Sequence, residues 1–411
     1  MAKIKPFCAV RPAAELAERI AALPYDVYNR EEAKEEVRRE PLSFLQIDRA
    51  ETKLSDNISA YDSAVYEKAK ELLEDMISKG QFMKEEKECF YIYELIMEGR
   101  SQTGLVACAS LDDYNNGIIK RHENTRTDKE LDRINHIDIC NAQTGPIFLT
   151  YRDSVNITDI IKSYKETRKL YGFTSPDGIV HNVWKIAEEE TITKIKEEFE
   201  KVPSIYIADG HHRAASAVKV GLKRREEHPD YTGREEFNFF LSVFFPCEEL
   251  LILPYNRVVE DLKGYTQEEF LEKVKECFDV TFLGESAYQP EKKGAYGMYL
   301  QTGWYKLIIK EEYKKEDPVA GLDVSLLQDN LLEPVLGIKD PRSDKKIDFV
   351  GGIRGLGELE RRVKEDMAVA FSMYPTSINE LMAVSDQGKL MPPKSTWFEP
   401  KLRSGLFIHR I

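Results

Sequence analysis

The sequence predicts an α/β fold, of either the α/β or the α+β type with a mixed sheet, and three observations support this prediction. Short runs of β-branched and aromatic residues alternate with amphipathic helical patterns, so strands and helices interleave along the chain. The chain has 411 residues, of which 42% are hydrophobic and 32% charged, a balance typical of a globular protein with a sizeable core. This length also exceeds the roughly 100–200 residues of one domain, so more than one folding unit is expected.

The first part of the chain ends in a clear hairpin. Cys89–Met97 and Thr103–Ser110 are its strands, and Glu98–Ser101 is its turn. The elements predicted before it are a strand at Ile4–Val10, a helix at Pro12–Leu23 that Pro24 ends, a charged helix at Arg30–Arg39, a strand at Ser43–Ile47 and a helix at Tyr61–Met76.

In the middle of the chain, predicted helices alternate with predicted strands. The predicted helices are Thr127–Cys140, Ile157–Leu170, Glu188–Lys201 and a short Ala214–Val220 that Gly221 ends. The predicted strands are Ile147–Tyr151, Ile179–Trp184, Ser204–Ala208, Phe237–Phe245 and Leu250–Leu253.

The pattern restarts near residue 260, which predicts a boundary between regions 1–260 and 261–411. The second region is predicted to hold helices at Thr266–Phe278, Leu326–Leu336, Glu358–Val363 and Ile378–Val384. Its predicted strands are Val280–Leu283, Ala295–Gln301, Trp304–Ile309 and Met367–Met373.

The charge and composition of the chain limit the classes of molecule that it is expected to bind. A formal net charge of −13 argues against a nucleic-acid partner, because such proteins neutralise phosphates with clustered Lys and Arg. No apolar run approaches the ~20 residues that span a bilayer, and Met1–Pro6 does not resemble a secretion signal. We therefore expect a cytoplasmic protein without a membrane partner. The six cysteines form no Cys-x-x-Cys pair, so neither disulfides nor a structural zinc site is expected.

The strongest candidate site is an Asp-Gly-His-His-Arg segment that follows a predicted strand and opens a helix. Its members are Asp209, Gly210, His211, His212 and Arg213. Unpaired amides and the positive dipole end of a helix bind anions, and a guanidinium adds a bidentate phosphate contact. Asp209 is a candidate proton acceptor or metal ligand. The alternative is that Asp209 only caps the helix and that the histidines lie on the surface.

Four weaker candidates lie elsewhere, and each has a plain structural alternative such as a turn, a solvated loop or an ordinary ion pair. Neighbouring histidines point apart in most backbones, so His211 and His212 alone are not expected to hold a metal. The sequence has no P-loop, dinucleotide-binding turn, nucleophile elbow or His-Glu-x-x-His helix. The weaker candidates are Tyr25 and Asp26; His122, Glu123, Thr125 and Arg126; Arg257; and Lys394 with Ser395.

These segments carry a resemblance to known proteins. The Tyr206–Arg213 box resembles the Asp-Gly-His-His-Arg motif of ParB-like proteins. Together with Pro24–Val27, His122–Thr125 and Met391–Phe398, it is similar to the "domain of unknown function 1015" family over nearly the whole chain. The resemblance implies a ParB-like catalytic core in 1–260, with an inserted hairpin and loop, and a C-terminal α/β region in 261–411 that completes the site.

The resemblance also implies an activity. Some ParB-like proteins are kinases that phosphorylate the hydroxyl of free L-serine with ADP, ATP or pyrophosphate as donor. This sequence looks closer to those kinases than to DNA-segregation factors, because it is acidic and no basic helix-turn-helix follows the box. The missing nucleotide loop favours pyrophosphate over a purine nucleotide. The expected partners are therefore free L-serine and a small phosphoryl donor.

Residue roles carried over from the family place Asp209 on the reacting hydroxyl or on Mg²⁺, the expected cofactor. His211, His212 and Arg213 would hold the transferring phosphoryl group and its donor. The family's catalytic base is an N-terminal glutamate, for which Glu15, Asp26 and Glu123 are alternatives.

Two other functions remain open from the sequence. One is hydrolysis of phosphoserine, or the transfer run in reverse. The other is a ligand-sensing or nucleic-acid-associated regulator with a ParB-like core.

Overall fold

The chain forms two compact units in a computed structural model that describes residues 1–152 and 155–411. The first unit comprises Met1–Leu250 together with Pro400–Ile411, and the second comprises Leu251–Glu399. The return of the C-terminal segment to the first unit was not expected. The functional roles assigned to the two regions stay predictions.

The first unit interleaves helices and strands, as predicted. Its helices are α1 (Ala17–Ile20), α2 (Arg30–Arg39), α3 (Leu45–Asp48), α4 (Ser63–Ser78), α5 (Leu111–Asn115), α6 (Thr127–Cys140), α7 (Val155–Lys165), α8 (Glu189–Phe199) and α9 (His211–Glu227). Its strands up to residue 250 are β1 (Ile4–Lys5), β2 (Val10–Pro12), β3 (Phe82–Lys84), β4 (Phe90–Met97), β5 (Arg100–Ser110), β6 (Ile119–Lys120), β7 (Ala142–Gln143), β8 (Ile147–Tyr151), β9 (Tyr171–Thr174), β10 (Val180–Ile186), β11 (Ile205–Asp209) and β12 (Phe239–Pro246).

A mixed sheet with the strand order β6-β11-β8-β12-β5-β4-β10-β9 forms the centre of this unit, and β1 pairs with β5. The pairs β11–β6 and β12–β8 are parallel, and the other pairs in this sheet are antiparallel. The predicted hairpin is confirmed as β4–β5. Its turn residues Glu98 and Gly99 both have positive φ, 52° and 80°, as a type I′ turn requires.

The parallel pair β6–β11 positions the candidate site. Tyr206 in β11 lies opposite Lys120 in β6, and the two strands run in the same direction. The segments that follow them therefore leave the sheet at the same edge. One of these segments begins at Arg121 and the other at Gly210, so the topology brings two of the candidate segments together.

Both sides of the sheet are buried. Leu105, Ala107 and Ala109 of β5 belong to one core, which also includes Ala217 and Val218 of α9. The intervening residues of β5 are buried as well. A second core joins α2, α3 and α4 to β2 and β3. Burial on both faces explains why the central strands read as continuous apolar runs rather than alternating ones.

The strand predicted at Ser43–Ile47 is wrong, because this segment forms the single helical turn α3. Its four residues, Leu45 to Asp48, are all buried. A short apolar run that is buried on every side cannot be assigned to helix or strand by periodicity. Packing against α2 and α4 decides the outcome.

Helix α9 continues through Gly221, where the sequence predicted its end. Gly221 is needed for close packing rather than for a turn. A Cβ atom at this position would lie 2.3 Å from the carbonyl oxygen of Phe237 and 2.4 Å from Cδ1 of Leu111. The helix ends only at Glu227.

We expect Gly221→Ala to lower the unfolding midpoint of the full chain, because the backbone carbonyl of Phe237 cannot move aside as a flexible side chain would. Overpacking of this kind costs about 1–3 kcal/mol. Gly357→Ala in a helix of the second unit is the matched control, since nothing lies within 4 Å of a Cβ there. The control should stabilise by about 0.5–1 kcal/mol, and equal effects of the two variants would contradict the packing argument.

The second unit is also built from helices and strands. Its strands are β13 (Leu251–Leu253), β14 (Tyr255–Val259), β15 (Phe278–Gly284), β16 (Ala295–Leu300), β17 (Gly303–Ile309), β18 (Ile347–Gly351), β19 (Val369–Ser372) and β20 (Trp397–Glu399). Its helices are α10 (Gln267–Cys277), α11 (Asp323–Leu327), α12 (Gly355–Glu365) and α13 (Ile378–Asp386). The main sheet has the order β15-β17-β16-β19-β14-β18, and β13 pairs with β20. The predicted helix Leu326–Leu336 is replaced by α11 and a π-helical turn, Gln328–Leu332.

The C-terminal segment completes the first unit. Its strand β21 (His409–Arg410) pairs with β7, and Ile408 forms a bridge with Val10. Among the described residues, no helix combines the length and the apolar character that a membrane span needs.

Candidate active site

The Asp209–Arg213 box lies where β11 ends and α9 begins. Gly210 is the N-cap of α9 and has φ +93°, a conformation that non-glycine residues rarely adopt. The guanidinium of Arg213 folds back over it, so a Cβ at position 210 would lie 3.1 Å from Nε and Nη2 of Arg213. Gly210 therefore provides both the turn and the space for the arginine.

Asp209 is held between a backbone amide and a lysine. Its Oδ1 accepts a hydrogen bond from the Gly210 amide at 2.7 Å, and its Oδ2 accepts one from Nζ of Lys401 at 3.0 Å. About a third of the side chain, 35%, stays exposed. Burial raises the pKa of Asp209, but the charges of Lys401 and Arg213 outweigh it and hold the pKa below its ordinary value. Asp209 is therefore ionised at neutral pH.

His211 points toward the segment that follows β6. Its ring packs edge-on against the ring of His122, with the ring centroids 4.4 Å apart, and its Nδ1 lies 3.8 Å from Oε2 of Glu123. Both imidazoles are buried. Burial lowers the pKa of His122 to about 4, against the opposing charge of Asp209. Burial, and then the neighbouring His122, holds the pKa of His211 well below its ordinary value, so both rings are neutral at neutral pH.

The side chain of His212 points away from that of His211, as we expected for neighbouring residues. Its Nε2 accepts a hydrogen bond from the backbone amide of Arg126 at 2.9 Å. Burial lowers its pKa, and the charges of Asp26 and Glu130 oppose that effect. The two histidines of the box therefore have different neighbours: His211 contacts His122 and Glu123, and His212 contacts the backbone of Arg126.

The first turn of α9 offers unused hydrogen-bond donors. The backbone amides of His211, His212 and Arg213 have no acceptor among the described residues, whereas the amide of Ala214 bonds to the carbonyl of Gly210. Arg213 donates from Nη1 to the carbonyl of Pro146 at 2.5 Å and lies close enough to Asp209 to lower its pKa. Lys401 and Arg213 bring two positive charges against the one negative charge of Asp209, so the helix end suits a phosphate group.

We expect pyrophosphate to raise the unfolding midpoint of the wild-type protein, because a ligand bound to the folded state stabilises it by mass action. Arg213→Met should abolish the increase. Arg224→Met in the last turn of the same helix, where the arginine pairs with Asp138, should keep it. Crystals grown in sulfate should show an anion at His211–Arg213, and an empty helix end at high sulfate would contradict the prediction.

The other members of the loop after β6 have structural partners. Thr125 donates from Oγ1 to Oε2 of Glu130 at 2.6 Å, near the start of α6. The guanidinium of Arg126 pairs with Asp128 at 2.8 Å and is largely exposed, so only its backbone amide contacts the box. Of the loop residues predicted for the site, His122 and Glu123 are therefore the two whose side chains lie against it.

The three candidate bases are placed differently. Glu123 faces His211, and the charge of Asp26 acts on His212. Glu15 lies exposed in a 3₁₀ turn, Ala14–Leu16. Among the described residues, Glu123 thus lies against a histidine of the box, Asp26 acts on one through its charge, and no interaction joins Glu15 to either.

A small cavity of about 30 Å³, room for about two water molecules, lies on another side of Arg213. Arg213 and Tyr25 line it, whereas Asp209 and the two histidines of the box do not. The guanidinium of Arg133 stacks over the Tyr25 ring at 4.0 Å and pairs with Asp132 at 2.8 Å. Further lining residues of interest are Asp48, His136, Thr144 and Ser404.

The remaining predicted site residues form a separate group in the second unit. Arg257 is buried and donates from Nη2 to the carbonyl of Lys394 at 3.0 Å and from Nη1 to the carbonyl of Tyr255. Burial lowers the pKa of Arg257 to about 10. Ser395 donates from Oγ to the carbonyl of Pro392 at 2.6 Å. Their predicted role in phosphate binding stays a prediction.

Three residues at the site and the cavity, Lys401, Asp48 and Arg133, could not be predicted from the sequence. Lys401 is separated from Asp209 by 192 residues, and no spacing rule connects them. The only signal was its position just after the Met391–Phe398 box. Asp48 follows the strand predicted at Ser43–Ile47, and Arg133 lies in the predicted helix Thr127–Cys140, so nothing in the sequence marked them as cavity residues.

Magnesium was expected with Asp209 as a ligand. Mg²⁺ prefers oxygen ligands and usually takes one or two carboxylates besides phosphate oxygens and water. Asp209 offers a single carboxylate, and both of its oxygens already accept hydrogen bonds, one of them from a lysine. This donor set does not fit a protein-made magnesium site. Lys401 and Arg213 supply positive charge at this position instead.

The fold and the site define an α/β protein with an anion-accepting helix end beside an ionised carboxylate. The chain belongs to the family described as "Protein of unknown function (DUF1015)", whose model matches residues 4–325. The Met391–Phe398 box and Lys401 lie beyond the matched residues. The wider ParB-like relationship stays a prediction. No curated protein matches the chain.

Solved structures with some similarity include a free serine kinase mutant in complex with ADP, at 15% identity and TM-score 0.35, with 75% of this chain and 87% of that chain covered. A C-terminally truncated SbnI from Staphylococcus aureus matches at 12% identity and TM-score 0.36, covering 72% and 82% of the two chains. A conserved hypothetical protein from Pyrococcus furiosus matches at 15% identity and TM-score 0.33, covering 73% and 93%. At these values the comparisons identify no residue role.

Proposed function

We propose that this protein is a small-molecule kinase that transfers a phosphoryl group to the hydroxyl of free L-serine, with pyrophosphate as the donor. In this reaction the serine oxygen forms a bond to phosphorus, the bond from phosphorus to the leaving phosphate breaks, and the hydroxyl proton passes to a carboxylate. The products are phosphoserine and inorganic phosphate.

The observation that carries the proposal is the arrangement at the start of α9. An ionised Asp209 lies between Lys401 and Arg213, next to backbone amides that have no acceptor among the described residues. Phosphoryl transfer requires mainly positioning of the two substrates and neutralisation of the phosphate charge. Amides and cations that bind phosphate, next to a carboxylate that accepts a hydroxyl hydrogen bond, meet both requirements.

The charges suggest a division of roles among the carboxylates. A general base works best when its pKa is near the operating pH. The pKa of Asp209 is lowered, so it suits orientation of the serine hydroxyl better than removal of its proton. Glu123, whose Oε2 lies 3.8 Å from Nδ1 of His211, and Asp26, whose charge acts on His212, are the candidates for the proton acceptor.

Pyrophosphate is proposed as the donor because the anion site is small and the sequence lacks a nucleotide-binding loop. The chain has no P-loop, and the anion-accepting helix end is formed by only a few groups. Pyrophosphate requires no purine pocket. Tyr25, which lines the small cavity beside Arg213, is proposed to contact the substrate.

The test is a donor screen on the full chain. Protein, L-serine and Mg²⁺ are incubated with pyrophosphate, ADP or ATP, and phosphoserine is measured by mass spectrometry. We expect phosphoserine with pyrophosphate and at least ~100-fold less in a parallel preparation of Asp209→Asn, which controls for contaminating kinases. A second arm offers phosphoserine and measures released serine, which tests hydrolysis. No product in either arm would exclude the enzymatic function.

A further inference from the structure

Three side chains with metal-ligating groups meet beside the box. His122, Glu123 and His211 each place a ligand atom so that all these atoms lie within 4.8 Å of one another. The two histidines are buried, and Glu123 keeps 42% of its side chain exposed. Two imidazoles and one carboxylate are a donor set used by both zinc and non-haem iron sites.

The hydrogen bonding of His122 points to a missing ligand. The residue is only 2% exposed, and its Nδ1 is buried without a hydrogen-bond partner. A backbone group of Ile207 raises the pKa of His122 and therefore lies near its ring. A metal-binding histidine typically donates its second N–H to a backbone carbonyl, which fixes the lone pair of the other nitrogen toward the metal. An unpaired buried nitrogen is otherwise costly, and a metal ion would supply the partner that Nδ1 of His122 lacks.

His211 and Glu123 lie at a distance that a small ion can bridge. A tetrahedral ion with bonds of about 2.1 Å holds its ligand atoms about 3.4 Å apart. Nδ1 of His211 and Oε2 of Glu123 are 3.8 Å apart, and Glu123 has exposed surface on which to move. Nε2 of His211 accepts a long 3.5 Å contact from the amide of His122, so Nδ1 is the nitrogen that faces Glu123.

We infer that His122, Glu123 and His211 form a site for a divalent transition-metal ion of the zinc, cobalt or iron type. Imidazole nitrogen ligands favour these ions over magnesium. The inference that a metal site exists depends only on these three side chains. Only its role, which is to place positive charge next to Asp209 and the phosphate-accepting helix end, rests on the proposed function.

The test is titration of the full chain with Co²⁺ at neutral pH after removal of bound metals with a chelator. Cobalt in a nitrogen and oxygen site gives visible absorption bands, and the lack of a strong thiolate charge-transfer band excludes the free cysteines as ligands. We expect saturation at one equivalent and an increase in the unfolding midpoint. Zn²⁺ should displace the cobalt spectrum, whereas Mg²⁺ at the same concentration should not.

Variants decide whether the named residues are the ligands. Glu123→Gln, His122→Gln and His211→Gln should each lower the Co²⁺ affinity by at least about 100-fold, while His228→Gln, at an exposed histidine, should not change it. Glu123 is partly exposed, so its variant tests the site even where a buried histidine variant fails to fold. Unsaturable binding by the wild type, or unchanged affinity in Glu123→Gln, would overturn the inference. Neither result depends on whether phosphoserine is formed.

Discussion

Asp209→Asn is expected to lower the turnover of phosphoserine formation by at least ~100-fold, the usual scale for one group that orients a reacting hydroxyl or stabilises charge. The amide keeps the shape of the carboxylate but removes the negative charge that Lys401 and Arg213 surround. It also replaces one hydrogen-bond acceptor with a donor. Initial rates at saturating serine and pyrophosphate measure the effect on turnover directly.

Asp261→Asn is the matched control for this experiment. Asp261 also pairs with a lysine, Lys346, at 2.7 Å, but the pair is well exposed and lies in the second unit. Its loss should leave the rate within about twofold, because exposed ion pairs contribute about 0–1 kcal/mol. A near-normal rate in Asp209→Asn would remove this residue from the mechanism.

Lys401→Met is expected to impair both stability and turnover. The methionine keeps most of the lysine stem but leaves Asp209 without its nearest cation. Removing one partner of a fully buried pair costs about 3–5 kcal/mol, and the exposed third of Asp209 reduces this to about 2 kcal/mol. Chemical denaturation measures the stability, and Lys346→Met, which breaks the exposed pair in the second unit, should cost under about 1 kcal/mol.

The pH dependence of the Lys401→Met effect has a definite sign. The folded-state pKa of Asp209 lies below its unfolded value of about 3.9. The stability gained from the ion pair is therefore fully present above about pH 4 and is lost as the pH falls through the folded pKa. The difference in stability between wild type and variant should shrink in acid. A difference that stays constant down to about pH 2 would show that the lysine acts through packing alone.

The variant should also gain an acid limb in its pH–rate profile. Without Lys401, burial is the largest influence left on Asp209, and burial raises the pKa of a carboxyl. Protonation of Asp209 should then lower kcat/KM at a higher pH than in the wild type. A profile identical to that of the wild type would indicate that the ionisation of Asp209 does not limit the reaction.

Most elements could be predicted from local patterns. The helix bounds Arg30–Arg39 and Thr127–Cys140 and the strand Ile147–Tyr151 agree with the structure, because their periodicity and their ends are local properties of the chain. The errors at Ser43–Ile47 and Gly221 share one cause. In both places a contact with a distant segment, rather than a local propensity, decides the conformation.

The sequence by itself determined the Asp209–Arg213 box, since a strand, a glycine turn and the start of a helix are set by neighbouring residues. It also marked His122, Glu123 and Asp26 as candidates. Only the tertiary structure decided which of these side chains meet and where their charges are balanced. The parallel pairing of β6 and β11 joins the two histidine segments, and the returning C-terminus brings Lys401 to Asp209. Both depend on the path of the chain across the sheet, which no local spacing encodes.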